Sequence, residues 1–213
     1  MKGEFILMIG KKSKKHLLVV AAVALFLAPQ VIAQGKNEIG LLLGGTFVSK
    51  SSSVDIQSGL TYEATYAHQF LTFSRLGLAF ELPLIAVPSQ NVRSISVLSP
   101  RNYASLFITP GIRLTSRRHA HIFPWASIGG GYARFDESTT LIAGAPNPFK
   151  RGTNKAALQY GAGVDFKLPF RIPLPIALRG EIRSFLSGQP RLNIANGNGQ
   201  FNVLIAGGVV LHF

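Results

Sequence analysis

Cysteine is absent from this 213-residue chain, which excludes a disulfide framework and any thiolate metal site. Acidic residues are scarce as well. Only 9 Asp and Glu stand against 22 Lys and Arg, and charged residues make up 15% of the sequence. A soluble domain ordinarily carries about 25%, so the charge present is too sparse to cover a water-facing surface. Long apolar runs are missing too: the longest, residues 17–28, has 12 residues. A spanning helix needs roughly 17–25. From Gln34 onward no segment keeps a helical period. What the chain does have is 22 glycines and an apolar share of 47%. Apolar content without helix-length runs suits many short strands whose outer face is apolar.

The formal charge of +13 invites a nucleic-acid reading, but its first part belongs elsewhere. Lys2, Lys11, Lys12, Lys14 and Lys15 precede the apolar run at 17–28, and Val31, Ala33 and Gln34 follow it. A basic start, a short apolar centre and a small-residue site read as a secretory signal peptide. The expected plan is a signal peptide over 1–33 and a barrel over 34–213, with translation starting at Met1 or Met8. Taking away those five lysines and Glu4 leaves 17 Lys and Arg against 8 Asp and Glu, a net +9. These cations are scattered, with no basic helix and no aromatic-basic motif, so nucleic acid is not an expected partner.

The mature chain alternates between apolar and polar residues in runs bounded by turn chemistry. The expected strands are 38–48, 60–69, 76–86, 105–115, 125–135, 156–168, 176–186 and 201–213. Their connections alternate long and short, from first to last. Transmembrane barrels do this, with long loops outside the cell and short turns in the periplasm. The expected fold class is therefore all-β: an eight-stranded antiparallel up-and-down transmembrane barrel behind a cleavable signal peptide.

Alternation also separates the two faces. Leu158, Tyr160, Ala162, Val164 and Phe166 share one face, while Gln159, Gly161, Gly163, Asp165 and Lys167 share the other. Ile176, Leu178 and Ile182 oppose Arg179, Glu181 and Arg183, and Leu78, Phe80, Leu82 and Leu84 oppose Ala79 and Glu81. The bulky face is expected to meet lipid and the small, charged face to line a narrow lumen. Lumen charges are expected at Glu38, Glu63, Glu81, Arg113, Asp165, Lys167, Arg179, Glu181 and Arg183, with Glu81 meeting Arg113. Such pairs would fill an eight-stranded interior and leave little conductance. Phe47, Phe70, Phe73, Tyr103, Phe135, Phe166, Phe170 and Phe213 are expected in interfacial girdles.

The chain closes on "AGGVVLHF". Gly208, Leu211 and Phe213 match the spacing of the C-terminal assembly signal of outer-membrane barrels, while Ala206 replaces the preferred polar residue. With the signal peptide and the alternating strands, the mature chain resembles the small eight-stranded outer-membrane barrels of the OmpA/OmpX type. That resemblance implies a bacterial outer-membrane location and insertion by the barrel-assembly machinery, with Gly208, Leu211 and Phe213 as the assembly signal.

Little catalytic chemistry is visible. A rim protease needs Asp and His outside, and the loops offer Asp55, Asp136 and Glu137 but no His. His119 and His121 lack a third metal ligand. His68 is expected on the lipid face beside Tyr66, near a periplasmic turn and so in the wrong leaflet for a lipid A hydrolase. The glycines at 129–131 lack the strand-to-helix setting of a phosphate loop. No cofactor is expected. Lys50, Arg93, Arg101, Arg134, Lys150, Arg151, Lys155 and Arg191 are expected in the loops, where they can meet lipopolysaccharide phosphates or simply be solvated. The expected role is a monomeric, non-enzymatic barrel with a structural or adhesive function through its loops. A narrow channel for small or hydrophobic solutes is the alternative, and a lipid A-modifying enzyme the third reading.

Overall fold

The structure, a computed structural model, describes residues 36–48, 54–94, 96–117, 121–149, 152–168, 175–190, 192–193 and 199–213. The expected cleavage after Ala33, the girdle residue Phe170, His119 and the loop cations Lys50, Lys150, Arg151 and Arg191 lie outside these. Among the described residues no helix is long and apolar enough to cross a membrane. The body over residues 36–212 is built of strands.

Ten strands run in chain order: β1 (Asn37–Val48), β2 (Val54–Ile56), β3 (Gly59–Phe73), β4 (Leu76–Ser94), β5 (Asn102–Ile108), β6 (Gly111–Ser116), β7 (Ile122–Glu137), β8 (Gly152–Lys167), β9 (Ile176–Ser187) and β10 (Gln200–His212). Each long strand pairs antiparallel with its neighbour, and β1 pairs with β10 over Glu38↔His212 to Val48↔Asn202. The sheet closes on itself and leaves no long free edge. Strands β5 and β6 are two halves of one crossing, both flanked by β4 and β7, so the barrel has eight staves.

The split has a local cause. Pairing between β4 and this stave stops at Glu81↔Gly111 and resumes at Leu84↔Ile108. The skipped residues include Pro83 and Pro110, which have no amide hydrogen to give a ladder.

The strands also run further than the apolar pattern. Strand β4 continues through the largely polar stretch 87–94, and β7 reaches Glu137, where the sequence suggested loops. Pairing explains both extensions. The upper part of β4 is gripped by β2 on one side and by Tyr103 and Asn102 of β5 on the other, across an irregularity between Val87 and Gln90. Asp136 and Glu137 pair with Ala104 and Tyr103. Beyond the lipid the outward positions face water and take polar residues, while Val87, Gln90, Val92 and Phe135 still point inward and are buried.

The outward face carries Leu41, Leu43, Tyr62, Leu82, Leu84, Ile128, Leu158, Tyr160, Ile182, Ile205 and Val209, all exposed. Phe47, Phe70, Phe73 and Phe166 are exposed near strand ends, as a girdle requires. Tyr103 and Phe135 are not in the girdle: they are 1% and 0% exposed, inside the barrel. Their strand positions have the parity of buried Phe107 and Trp125, and parity decides the face.

Candidate functional site

The lumen has two layers. Toward the end with the short turns it is charged, and toward the end with the long loops it is apolar.

The charged layer begins at Glu38 on β1. Arg113 binds Glu38 closely, and Arg179 Nη2 donates to Glu38 Oε1 at 2.8 Å. Arg179 also grips Asp165, with Nε and Nη2 each 2.6 Å from one carboxylate oxygen. Two carboxylates thus face two guanidiniums, and this tier is balanced. One tier up, Arg183 serves three acids. It forks onto Glu81 at 2.9 and 3.1 Å, contacts both oxygens of Glu181, and places Nε 3.2 Å from Glu63 Oε1. Arg113 reaches Glu81 only at 3.4 Å, so the expected Glu81–Arg113 pair is the weaker contact of each partner. Arg113, Arg179 and Arg183 stack over the Trp125 ring at 5.5, 5.1 and 5.0 Å, and the Trp125 indole N–H donates to Asp165 at 3.2 Å. Planar guanidiniums both fork onto carboxylates and lie on aromatic faces, which lysine does less well.

Lys167 departs from expectation. Its parity is that of Asp165, yet it is exposed, because β8 ends there beyond the filled part of the lumen.

Glu38, Asp165 and His212 bring one ligand atom each within 4.8 Å of one another. Two guanidiniums already occupy the carboxylate oxygens, so a metal ion would have to displace them against like charge.

The apolar layer was not expected. Leu42, Ile85, Phe107, Phe135, Phe185 and Leu204 form its centre, with Tyr103 above. Phe107 and Phe185 lie 4.8 Å apart between centroids, and Phe135 meets Phe107 and Tyr103 edge-on at 6.0 and 5.9 Å. Leu192, from the β9–β10 connection, is buried in the same cluster.

Above it the loops join. Pro100 and Leu141 form a bridge, the Arg101 amide donates to the Thr140 carbonyl at 3.0 Å, and the Ile142 amide to the Ser99 carbonyl at 2.9 Å. Asn193, left-handed at φ 58°, donates its side-chain amide to the Leu98 carbonyl at 3.0 Å. Three connections therefore share one hydrogen-bonded cap, which exposes Val97, Leu98, Ile142 and Phe149.

The loop cations within the description differ among themselves. Arg101 is exposed. Arg93 stands opposite Asp55 in register. Arg134 forks onto Asp136 at 2.9 and 3.0 Å, outside the barrel. Lys155 is half-buried, its chain lying against Gly188. Of the acids expected in the loops, Glu137 is buried at the mouth, 3.4 Å from the Thr153 hydroxyl.

At the closing seam Gly208 faces inward opposite Leu42. A Cβ there would stand 2.1 Å from the Leu41 carbonyl oxygen, so glycine is required by close approach of the strands. Leu211 faces outward opposite Ile39, and Phe213 follows the last residue of β10.

His68 lies outside, beside Tyr66. Its Nδ1 is 2.7 Å from Asn37 Oδ1, which also accepts from the Tyr66 hydroxyl at 2.9 Å. Among the described residues the ring is held by an amide and not by a carboxylate that would stabilise an imidazolium.

No protein-family model matches the chain, and no curated protein matches it by sequence. Solved structures do match. Neisserial surface protein A aligns at a TM-score of 0.56 with 12% identity, over 84% of this chain and 98% of its own. OprG of Pseudomonas aeruginosa aligns at 0.52 with 13% identity, over 84% and 96%. The fold is that of the small eight-stranded outer-membrane barrels. Together with the outward apolar belt, it makes this an integral outer-membrane protein, with the long loops outside the cell by the rule of such barrels.

Proposed function

We propose that this outer-membrane barrel is a non-enzymatic surface protein that works through its loop cap rather than through its lumen. The observation that carries this reading is the doubly filled interior, Arg183 and its acids below and Phe107, Phe135 and Phe185 above. A transported solute would have to break buried ion pairs and then part an aromatic cluster. The cap, by contrast, is preorganised by backbone bonds between loops, which lowers the ordering cost of binding. Its exposed Val97, Leu98, Ile142 and Phe149 suit a macromolecular contact. Arg93, Arg101, Arg134 and Lys155 supply cations toward lipopolysaccharide phosphates, and insertion proceeds through the barrel-assembly machinery with the protein as a monomer.

A lipid A-modifying activity would need a nucleophile and an acid beside a lipid-facing histidine, and His68 has an amide and a tyrosine instead. The test compares Gram-negative cells displaying the wild-type chain or a variant with Val97, Leu98, Ile142 and Phe149 all changed to Ser. Attachment to protein-coated surfaces is expected for the wild type and lost in the variant, both remaining heat-modifiable on gels. Equal attachment by the two, or shortened lipid A in the expressing cells, overturns the reading.

A further inference from the structure

The short-turn end carries a cluster of exposed cations around one glutamine. The Gln69 amide donates to the Lys36 carbonyl at 2.7 Å, which draws the start of β1 to this point. The Gln69 side-chain oxygen accepts from Arg117 Nη2. The Arg117 amide in turn donates to the Arg75 carbonyl at 2.7 Å. Arg75 occupies the two-residue turn between β3 and β4, whose shape is set by Ser74 in the left-handed region at φ 46°. Three chain segments therefore bring Lys36, Arg75 and Arg117 together, and all three are exposed.

Among the described residues none of the three has a carboxylate within ion-pairing distance. The acids nearest this end, Glu38 and Asp165, are buried and committed to Arg113 and Arg179. Directly beside the cluster the outer wall exposes Phe70 and Phe73, 52% and 57% accessible, at the edge of the apolar belt. Uncompensated cations next to lipid-facing aromatics match the two halves of a phospholipid, phosphate above and acyl chain below.

We propose that Lys36, Arg75 and Arg117 bind the headgroup phosphate of an anionic phospholipid in the periplasmic leaflet, with its acyl chain against Phe70 and Phe73. This rests on the outer-membrane reading, which places the short turns at that leaflet. The occupant is a lipid rather than a free anion because the apolar half of the site is as exposed as the cationic half. Gln69 acts as the positioning residue: it fixes two of the three segments through neutral groups, so the charges stay uncompensated.

The test is native mass spectrometry of the full mature chain refolded in detergent and titrated with phosphatidylglycerol or phosphatidylcholine. The wild type is expected to retain phosphatidylglycerol preferentially. Lys36→Gln, Arg75→Gln and Arg117→Gln should each weaken retention about fivefold, the worth of one basic residue at an anionic lipid surface. Arg75→Lys with Arg117→Lys should keep most of the preference. Arg101→Gln, at the opposite end, should keep all of it. Heat-modifiable migration of every variant shows that the barrel has formed, so failure of the lipid site is distinguishable from failure of the outer-membrane fold. Equal retention by the wild type and a variant carrying all three Gln changes together overturns the proposal. Complete displacement of the lipid by inorganic phosphate at equal concentration also overturns it, because the acyl half would then add nothing.

Discussion

At the scale of single residues the charged layer is unequal. Arg183 is fully buried and is shared by three carboxylates, while Glu63 is one of the least satisfied groups in the lumen. Among the described residues its two oxygens accept no hydrogen bond, and the Arg183 Nε that pairs with it lies closer to Glu181. Arg183→Ala is expected to cost at least about 3–5 kcal/mol, since it strands buried carboxylates. Glu63→Gln should be neutral or stabilising, because it removes a charge that its neighbours barely answer. Urea unfolding in micelles, followed by the emission of Trp125 against the three guanidiniums, measures both. A Glu63→Gln loss as large as that of Arg183→Ala would show that Glu63 is better paired than its contacts indicate.

Arg113 yields a second residue-scale prediction. Glu38 is its nearer partner, so a double-mutant cycle with Glu38→Gln should show a larger coupling energy than one with Glu81→Gln. The reverse order would place the main pair where the sequence alone put it. Most of the lumen charges were legible in the sequence, since each interrupts an apolar strand on the small-residue face. Which acid meets which arginine was not. Those distances depend on the stagger between strands, and Glu38 and Arg113 belong to staves that are not neighbours. Lys167 was misplaced for a related reason: parity fixes the face but not the height at which the lumen is filled.

At the scale of elements the closing seam separates two requirements that overlap in the last residues. Gly208 is needed by geometry, since any Cβ meets the Leu41 carbonyl, whereas Phe213 is expected from its sequence spacing to act in recognition during insertion. Gly208→Val should therefore refold poorly in detergent, with no assembly machinery present. A chain lacking Phe213 should refold normally in detergent but assemble slowly in cells and become exposed to periplasmic proteases. The heat-modifiable fraction in each setting reads this out. Normal refolding of Gly208→Val, or normal surface levels without Phe213, would contradict the corresponding half.

Strand centres were visible in the sequence, but their ends were not. Above the lipid the outward positions of β4 and β7 turn polar, so the apolar pattern fades there although the strands continue, paired with β2 and β5. The aromatic layer was readable and missed. Phe185 shares parity with Arg179, Glu181 and Arg183, and Phe107 shares it with Arg113, so both belong with the inward set. Position near a strand end suggested a girdle for Tyr103 and Phe135, where parity should have ruled.

At the scale of the whole molecule the two layers make the barrel a filled cylinder, apolar outside and packed within. Eight staves leave room for side chains and little else. Here that room is taken by guanidinium–carboxylate pairs at one end and phenyl rings at the other. On the proposed function the working parts are then the two ends, the hydrogen-bonded loop cap and the cationic cluster at the short turns. Planar-bilayer recording of the refolded barrel, residues 34–213, tests this most directly. The filled lumen predicts a flat trace at physiological salt, with no discrete conductance steps. Reproducible single-channel steps from heat-modifiable, monomeric protein would contradict it and would make the lumen, not the cap, the working part.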